Sequence, residues 1–348
     1  MKSVSIGGRA VGDGSSCFVI AEAGSNHNGR LDEAKALIRI AAEAGADAVK
    51  FQTFRADKLY ARNAGRSDYL QLDKPIFDII AAMEMPYDWL PLLADEAKQH
   101  GVMFLSTPFD EESVDVLEPF VPAYKIASYE MTHLPLVRYI AKKGKPLIMS
   151  TGTANLDEVR ETVEAVRATG NEQLIVLQCT ASYPAPLASL NLRAMTTMRN
   201  ELDVLVGLSD HSREPLIGPV AAVAIGACVI EKHFTFNSEL PGPDHRFAIE
   251  PHELRAMIRS IRECEAALGT GEKRVSDVEQ ELRQFARRTI ITLAPIAKGD
   301  VLSASNIAVL RAGNVPHGLP PSKFDAVLGR NALRDLDAGV PVTEDDLA

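Results

Sequence analysis

The chain is short of positive charge: 37 lysines and arginines stand against 47 aspartates and glutamates, a formal net charge of −10. A surface with that balance lacks the basic footprint that nucleic acids require, so no nucleic-acid partner is expected, and an anionic substrate has to be caught by local positive charge. Long apolar runs are absent too. The longest stretch, Leu216 to Ile230, is interrupted by Gly218, Pro219 and Gly226 and is too short to span a bilayer. Met1 to Gly14 contains no apolar core of a secretory signal, so neither export nor a membrane is expected. Cysteine is scarce: Cys17, Cys179, Cys228 and Cys264 show no paired spacing, which excludes a disulfide framework and suits buried thiols of a cytoplasmic protein. Also missing is a glycine-rich dinucleotide fingerprint after the first apolar run, which counts against a doubly wound open sheet.

What is present is one theme repeated. Phe18 to Glu22 reads as a strand, followed by the turn Gly24 to Gly29 and a helix from Leu31 to Ala44 whose Leu31, Ala34, Leu37 and Ile38 form one apolar stripe, ended by Gly45. Ala46–Gln52, Gly101–Thr107, Ala123–Ser128, Pro146–Thr151 and Leu174–Cys179 read as further strands, with helices expected at Pro86–Gln99, Leu134–Lys143 and Leu156–Thr169 and a longer excursion from Arg55 to Tyr87. The stretch from Val206 to Phe234 supplies two more apolar runs around a helix rich in Ala, Gly and Pro, and a helix from Pro251 to Leu268 closes the set. Apolar runs joined by helices are what fully buried parallel strands look like in sequence. About eight such units in succession predict a TIM (β/α)8 barrel over residues 1–268.

Past Leu268 the composition changes. Gly269 to Lys273 has linker character, and a polar, helical stretch is expected to carry the linker to residue 286. Residues 287–348 are rich in turns and repeat themselves: Lys298–Ile307 aligns with Ala338–Leu347, each with a glycine before an extended run, then a hydroxyl residue, then a short turn ending in an aliphatic side chain. A module of that size has a thin core, so docking on a partner surface is expected.

The carboxyl ends of barrel strands are where such folds place their chemistry. Alternation along each strand lets Lys50 point with Gln52, Ser209 with His211 and Glu231 with His233. The expected rim therefore carries Glu22, Lys50, Gln52, Thr107, Lys125, Ser128, Glu130, Ser150, Tyr183, Ser209, His211 and His233. Lys50 and Lys125 interrupt apolar strands, and a buried ammonium requires an anion: either an ordinary salt bridge to Glu22 or Glu130, or a bound ligand. Hydroxyls at Thr107, Ser128, Ser150 and Ser209 cap helices or, clustered beside two lysines, suit the oxygens of a phosphate and a carboxylate. His211 and His233, at matching strand ends, either share a divalent metal or hydrogen-bond within a polar rim.

Six runs resemble the sialic acid synthase family: Ala21–Gly29, Val49–Phe54, Ser106–Asp110, Lys125–Glu130, Gly207–Ser212 and Glu231–Thr235. The similarity extends over nearly the whole chain, including a tail that resembles the SAF, or antifreeze-like, domain, a small β-rich β-clip module. The family condenses phosphoenolpyruvate with an N-acetylated amino sugar, such as N-acetylmannosamine, and water, releasing phosphate. The resemblance implies that Lys50 and Lys125 hold phosphoenolpyruvate, with Thr107, Ser128, Ser150 and Ser209 donating to its oxygens. It implies that His211 and His233 bind Mn2+, with Mg2+ or Co2+ possible, and that Glu130 takes a proton from the attacking water. Glu22 and Gln52 would contact the sugar or the metal shell, and Asp244 its hydroxyls, unless Asp244 only shapes its Pro/Gly turn. Arg311 would reach across a domain-swapped homodimer to close the partner's sugar site.

Two departures fall on the acceptor side. Where many members carry Asn or Ser after the sixth strand this chain has Ala181, and the tail's Arg-Pro-Gly appears as Arg311-Ala312-Gly313. The acceptor is therefore N-acetylmannosamine or a diacetamido trideoxy sugar of the legionaminic or pseudaminic kind. A related barrel acting on a phosphorylated aldose would need further cations for a second phosphate, and an inactive carbohydrate-binding barrel would have no use for both lysines, both histidines and both rim glutamates.

Overall fold

A computed structural model describes residues 2–66, 74–242 and 244–348; part of the expected Arg55–Tyr87 excursion, residues 67–73, lies outside them, as does Pro243. The chain divides into two compact units, Met1–Gly269 and Thr270–Ala348.

The first unit opens with a hairpin that the sequence reading did not anticipate, β1 (Ser3–Ile6) against β2 (Arg9–Gly12). Gly7 and Gly8, both at positive φ, make its two-residue turn, the backbone that glycine pairs favour between strands. Eight strands follow: β3 (Phe18–Gly24), β4 (Ala48–Thr53), β5 (Met103–Pro108), β6 (Tyr124–Ile126), β7 (Leu147–Ser150), β8 (Leu174–Cys179), β9 (Leu205–Asp210) and β10 (Val229–His233). They form one sheet in the order β5-β4-β3-β10-β9-β8-β7-β6, every ladder parallel. Its two ends, β5 and β6, pack against each other, so the sheet curves round as a TIM-like barrel with helices on the outside. This is the expected architecture. Helices at 111–117 and 194–202 occupy connections for which none was expected.

Side-chain alternation separates two apolar layers. Val19, Ala21, Val49, Phe51, Val176 and Val206 face outward onto helices such as Leu31–Ala44 and Pro251–Leu268. Phe18, Ile20, Ala48, Leu105, Ile148, Ile175, Leu177 and Val229 fill the barrel, closed at the amino-terminal end by Val4, Ile6 and Val11 of the hairpin. The inward face then turns polar: Glu22, Lys50, Thr107, Lys125, Ser150, Ser209 and Glu231 are all buried. A filled floor and a polar upper layer place every candidate group at the carboxyl rim. Cys17, Cys179 and Cys228 are buried free thiols, whereas Cys264 is only half-buried on its helix.

The second unit pairs β11 (Arg288–Thr292) with β12 (Ile307–Arg311) antiparallel. Its core holds Ile290, Ile296, Leu302, Ile307, Leu319, Val342 and Leu347. The sequence repeat is structural: Leu302 and Ile307 of one copy and Val342 and Leu347 of the other enter that core. In each copy a side chain three residues on accepts from the hydroxyl residue's backbone, Ser303 N to Asn306 Oδ1 at 2.8 Å and Thr343 N to Asp346 Oδ2 at 2.8 Å.

One buried ion pair belongs to the helix layer rather than the rim. Lys232 Nζ lies 2.7 Å from Asp210 Oδ2 and donates to the Ser212 carbonyl at 2.7 Å. Gly218 lets the next helix cover this pair, since a Cβ there would stand 2.9 Å from Asp210 Oδ2. Asp210→Ala leaves Lys232 buried without its partner and is expected to cost about 3–5 kcal/mol. Pairing Asp210→Leu with Lys232→Met should recover most of it; a urea-unfolding loss below about 1 kcal/mol for Asp210→Ala would show that the pair is solvated.

Candidate active site

Four charged side chains from four strands alternate across the barrel mouth. Lys50 Nζ lies 2.8 Å from Glu22 Oε2 and 3.8 Å from Glu231 Oε2, and Lys125 Nζ lies 3.6 Å from Glu231 Oε1. Glu231 thus stands between the two ammonium groups. Neutral partners complete the cluster. Lys50 donates to Thr107 Oγ1 at 3.0 Å, Lys125 to Ser150 Oγ at 2.7 Å and to the Ile126 carbonyl at 3.1 Å, Ser209 Oγ to Glu231 Oε1 at 3.0 Å, and Gln52 Nε2 to Glu22 Oε1 at 3.2 Å.

Burial and charge act against each other at every member. Burial opposes the Lys50 ammonium, yet Glu22 and Glu231 outweigh it and its pKa is raised. At Lys125 burial prevails over Glu231, with Lys50 adding to it, and the pKa falls. Glu231 is held low because the two lysines overcome its burial. Glu22 rises to about 7 through burial, with Glu231 adding to the effect and Lys50 opposing it.

Glu231 was not among the expected site residues. Its signal is a charge on the inward register of an apolar strand, two residues before His233, with which alternation already aligned it, while the neighbouring Lys232 points the other way.

The histidines meet in an aromatic box. The His211 and His233 rings lie 5.4 Å apart at 69°, Tyr183 stacks on His211 at 4.3 Å, and Phe247, another residue that sequence reasoning missed, packs against Tyr183 at 4.9 Å and His233 at 5.0 Å. His211 Nδ1 lies 3.0 Å from the Thr180 carbonyl, a partner that can only accept. That contact places the proton on Nδ1 and leaves the Nε2 lone pair facing, among the described residues, only the Cys179 thiol, at 3.9 Å. His233 Nδ1 is buried without a hydrogen-bond partner. Burial lowers the pKa of His211 to about 4 and of His233 well below its ordinary value, so both rings are neutral, as metal ligation requires. Two neutral imidazoles, one with an orphaned nitrogen, fit a divalent cation. Among the described residues no cluster of three or more His, Cys, Asp or Glu side chains converges, so other positions on such an ion would fall to substrate or water.

Gly24 allows the acidic side of this box to close. A Cβ on it would stand 2.8 Å from Asp244 Oδ2 and 3.6 Å from both Glu22 Oε1 and His233 Nδ1, so these three groups share one small volume. Burial pushes Asp244 up to about 6. Its loop is tied down by its neighbour: His245 lies between Thr235 Oγ1 at 2.6 Å and Asn28 Oδ1 at 3.0 Å.

Ser128 and Glu130 follow β6. Ser128 Oγ accepts from Gly152 N at 3.0 Å, close to Ala181, whose Cβ would be 3.0 Å from a Cβ at position 152. Glu130 is buried, with Oε2 unpartnered and no ion pair among the described residues; burial raises its pKa to about 7. Arg311 belongs to the other unit. It lies in β12 of the second unit, directly opposite Arg288, and is exposed.

A parallel eight-stranded barrel whose mouth carries paired ammonium groups and two neutral imidazoles, followed by a small β-rich module, defines a TIM-barrel enzyme with an appended SAF domain. Residues 37–273 match the NeuB family and residues 287–348 the SAF domain. The chain belongs to the NeuB family of sialic, legionaminic and pseudaminic acid synthases and is an enzyme of that class. It is 44% identical to the spore coat polysaccharide biosynthesis protein SpsE of Bacillus subtilis, covering 100% of this chain and 98% of that protein. It is 41% identical to the N,N'-diacetyllegionaminic acid synthase of Legionella pneumophila over 94% of each chain. The crystal structure of the sialic acid synthetase of Leptospira borgpetersenii superposes with a TM-score of 0.73 at 30% identity, covering 82% of this chain and 96% of that one.

The raised Glu130 pKa carries a stability consequence. The folded state holds this proton up to about pH 7, whereas an unfolded glutamate releases it near 4.3, so stability falls as pH rises between those values. From pH 5 to pH 8 the protein should lose about 2–3 kcal/mol that Glu130→Gln does not lose. Parallel unfolding curves for the two proteins across that range would mean that Glu130 is solvated.

Proposed function

We propose that the chain condenses phosphoenolpyruvate with an N-acetylated amino sugar in its open-chain form and, with water, releases phosphate and a nine-carbon acidic sugar. The observation that carries this reading is the pair of buried ammonium groups, Lys50 and Lys125, each within 4.0 Å of the single carboxylate of Glu231 and each bonded to a rim hydroxyl. A ligand with carboxylate and phosphate oxygens would exchange protein carboxylates for its own charge, with Thr107, Ser150, Ser128 and Ser209 as neutral donors.

The chain's residues then divide the work. Lys50 and Lys125 bind the anion and orient its methylene carbon toward the aldehyde, with which it forms the new carbon–carbon bond. The adjacent carbon becomes cationic and is captured by water; Glu130, with an unpartnered oxygen and a pKa near neutrality, accepts that water's proton. Cleavage of the carbon–oxygen bond to phosphate then leaves the keto acid. His211 and His233 would hold a divalent cation, Mn2+ with Mg2+ or Co2+ as substitutes, and the chemistry it would supply is polarisation of the aldehyde. Glu22, Gln52 and Asp244 line the acceptor side, and Tyr183 and Phe247 wall off water. The chain works in this proposal as a homodimer in which Arg311 completes the partner's acceptor site; a purely monomeric mass at working concentration would remove that element.

A diacetamido trideoxy sugar is the second reading for the acceptor. It is favoured by the 41% identity to the Legionella N,N'-diacetyllegionaminic acid synthase against 33% to the human N-acetylneuraminate-9-phosphate synthase, and by the small Ala181 beside Ser128 and Gly152. Among the described residues no helix is long and apolar enough to cross a membrane.

Phosphate release on mixing the metal-loaded protein with phosphoenolpyruvate and either N-acetylmannosamine or a diacetamido trideoxy hexose tests the reaction and ranks the acceptors. Lys125→Met should weaken phosphoenolpyruvate binding by about 1.5–3 kcal/mol, the loss of a charged hydrogen bond. No release with any acetamido sugar, or unchanged affinity in the variant, would overturn the assignment.

A further inference from the structure

The second unit concentrates cations, and of these only Arg311 has a part in the proposed reaction. From Arg283 to Lys323 the chain carries Arg283, Arg287, Arg288, Lys298, Arg311 and Lys323 against a single carboxylate, Asp300, although the protein as a whole has a net charge of −10. Among the described residues none of Arg283, Arg287, Arg288 or Arg311 is in an ion pair, and the only hydrogen bond their side chains make is from Arg288 Nη1 to the Val309 carbonyl at 3.1 Å. Arg288 and Arg311 are direct partners in the β11–β12 ladder, an arrangement in which like charges destabilise the pair. That repulsion is left uncompensated within the unit.

Three of these arginines line a cavity. Arg283, Arg287, Arg288, His317, Pro320 and Pro321 line a hollow of about 280 Å3, larger than a phosphate group and near the lower end of small-molecule sites. Its walls are fixed by bonds between segments. His317 Nε2 donates to the Gln284 carbonyl at 2.7 Å, Ala312 N to the Arg287 carbonyl at 3.1 Å, Gly313 N to the Phe285 carbonyl at 3.0 Å, and Gly318 N to Thr289 Oγ1 at 2.9 Å. Pro320 and Pro321 stiffen the remaining edge. Guanidinium groups around a hollow with fixed walls, with only Arg288 Nη1 engaged, match the forked geometry by which arginine binds phosphate oxygens.

We infer that this arginine-lined hollow of the second unit is a binding site for a phosphate-bearing small molecule, separate from the barrel mouth. The occupant is an oxyanion of at least two charges, such as a diphosphate group, whose negative charge relieves the Arg288–Arg311 repulsion. The inference does not rest on the proposed reaction, because every residue it uses lies in Thr270–Ala348 and none takes part in the barrel chemistry except Arg311, which serves only as the like-charged neighbour.

Calorimetric titration of the full chain with inorganic pyrophosphate tests it. The Lys125→Met chain, whose barrel site is weakened, should still bind one pyrophosphate with an affinity that falls with added salt. Adding Arg287→Ser and Arg288→Ser should weaken that binding at least tenfold, and Arg283→Ser alone, on a different element of the hollow, should weaken it severalfold; Arg287→Lys with Arg288→Lys should keep part of it. An isotherm unchanged by the serine substitutions, or absent from Lys125→Met with its arginines intact, overturns the site. So does sedimentation showing that the arginine variants alter the assembly while pyrophosphate affinity stays the same, since the patch would then belong to a contact between copies of the chain.

Discussion

Ammonium groups cannot be buried without negative charge close by, and this barrel buries two of them at one end. Lys50 and Lys125 are 3% and 2% exposed, and an unpaired cation at that depth would lose its proton or unfold the site. The arrangement that results is an alternating row, Glu22, Lys50, Glu231, Lys125, with a hydroxyl or amide for the remaining hydrogen-bonding capacity of each. Much of the upper barrel serves this row. Apolar layers below it exclude water, the parallel register brings Glu22 level with Lys50 and Ser209 level with Glu231, and the hairpin seals the far end.

The same constraint explains why the row suits an anionic ligand. Charges held inside a protein interact more strongly than they would in water, and the two carboxylates present are the groups that an incoming carboxylate and phosphate would rival. Glu22 sits at the point of balance, pushed up to about 7 by burial against the pull of Lys50. Beside it the neutral histidines, Asp244 and Glu130 provide the second half of the site, where an electrophile would be handled. In the proposed reaction the anion-holding and acceptor halves would follow the strands: β4 to β7 carry the lysines and their hydroxyl partners, His211 follows β9 and His233 ends β10.

The barrel was legible because fully buried parallel strands are written as short apolar runs, and the boundaries at Phe18, Leu31–Ala44, Leu174–Cys179 and Pro251–Leu268 recur in the structure. The amino-terminal hairpin was not read, although its Gly7-Gly8 turn is a hairpin signal, because strands of four residues give too little alternation to count. In the site, residues at strand ends were found by register alone. Alternation already pointed Glu231 with His233, yet Glu231 was left out of the expected rim; the structure sends it to the barrel mouth and its neighbour Lys232 to Asp210 in the helix layer. A salt bridge to Glu22 or Glu130 was one expectation for the lysines; Glu22 does pair with Lys50, but Lys125 faces Glu231, and Glu130 has no ion pair among the described residues. Phe247 was invisible because it comes from a loop, where no period connects it to the rings it touches. The arginine-lined hollow of the second unit requires residues 283–288 and the 317–321 segment to be brought together, which no local pattern announces.

A crystal structure of the chain with phosphoenolpyruvate, solved at near-neutral pH, tests the central claim most directly: that the buried row of charges is an anion site at the barrel mouth. The account predicts ligand oxygens within hydrogen-bonding distance of both Lys50 Nζ and Lys125 Nζ, with Thr107 and Ser150 as further contacts. Both lysines still paired only with Glu22 and Glu231, with the ligand absent from the barrel or bound elsewhere on the chain, would contradict it.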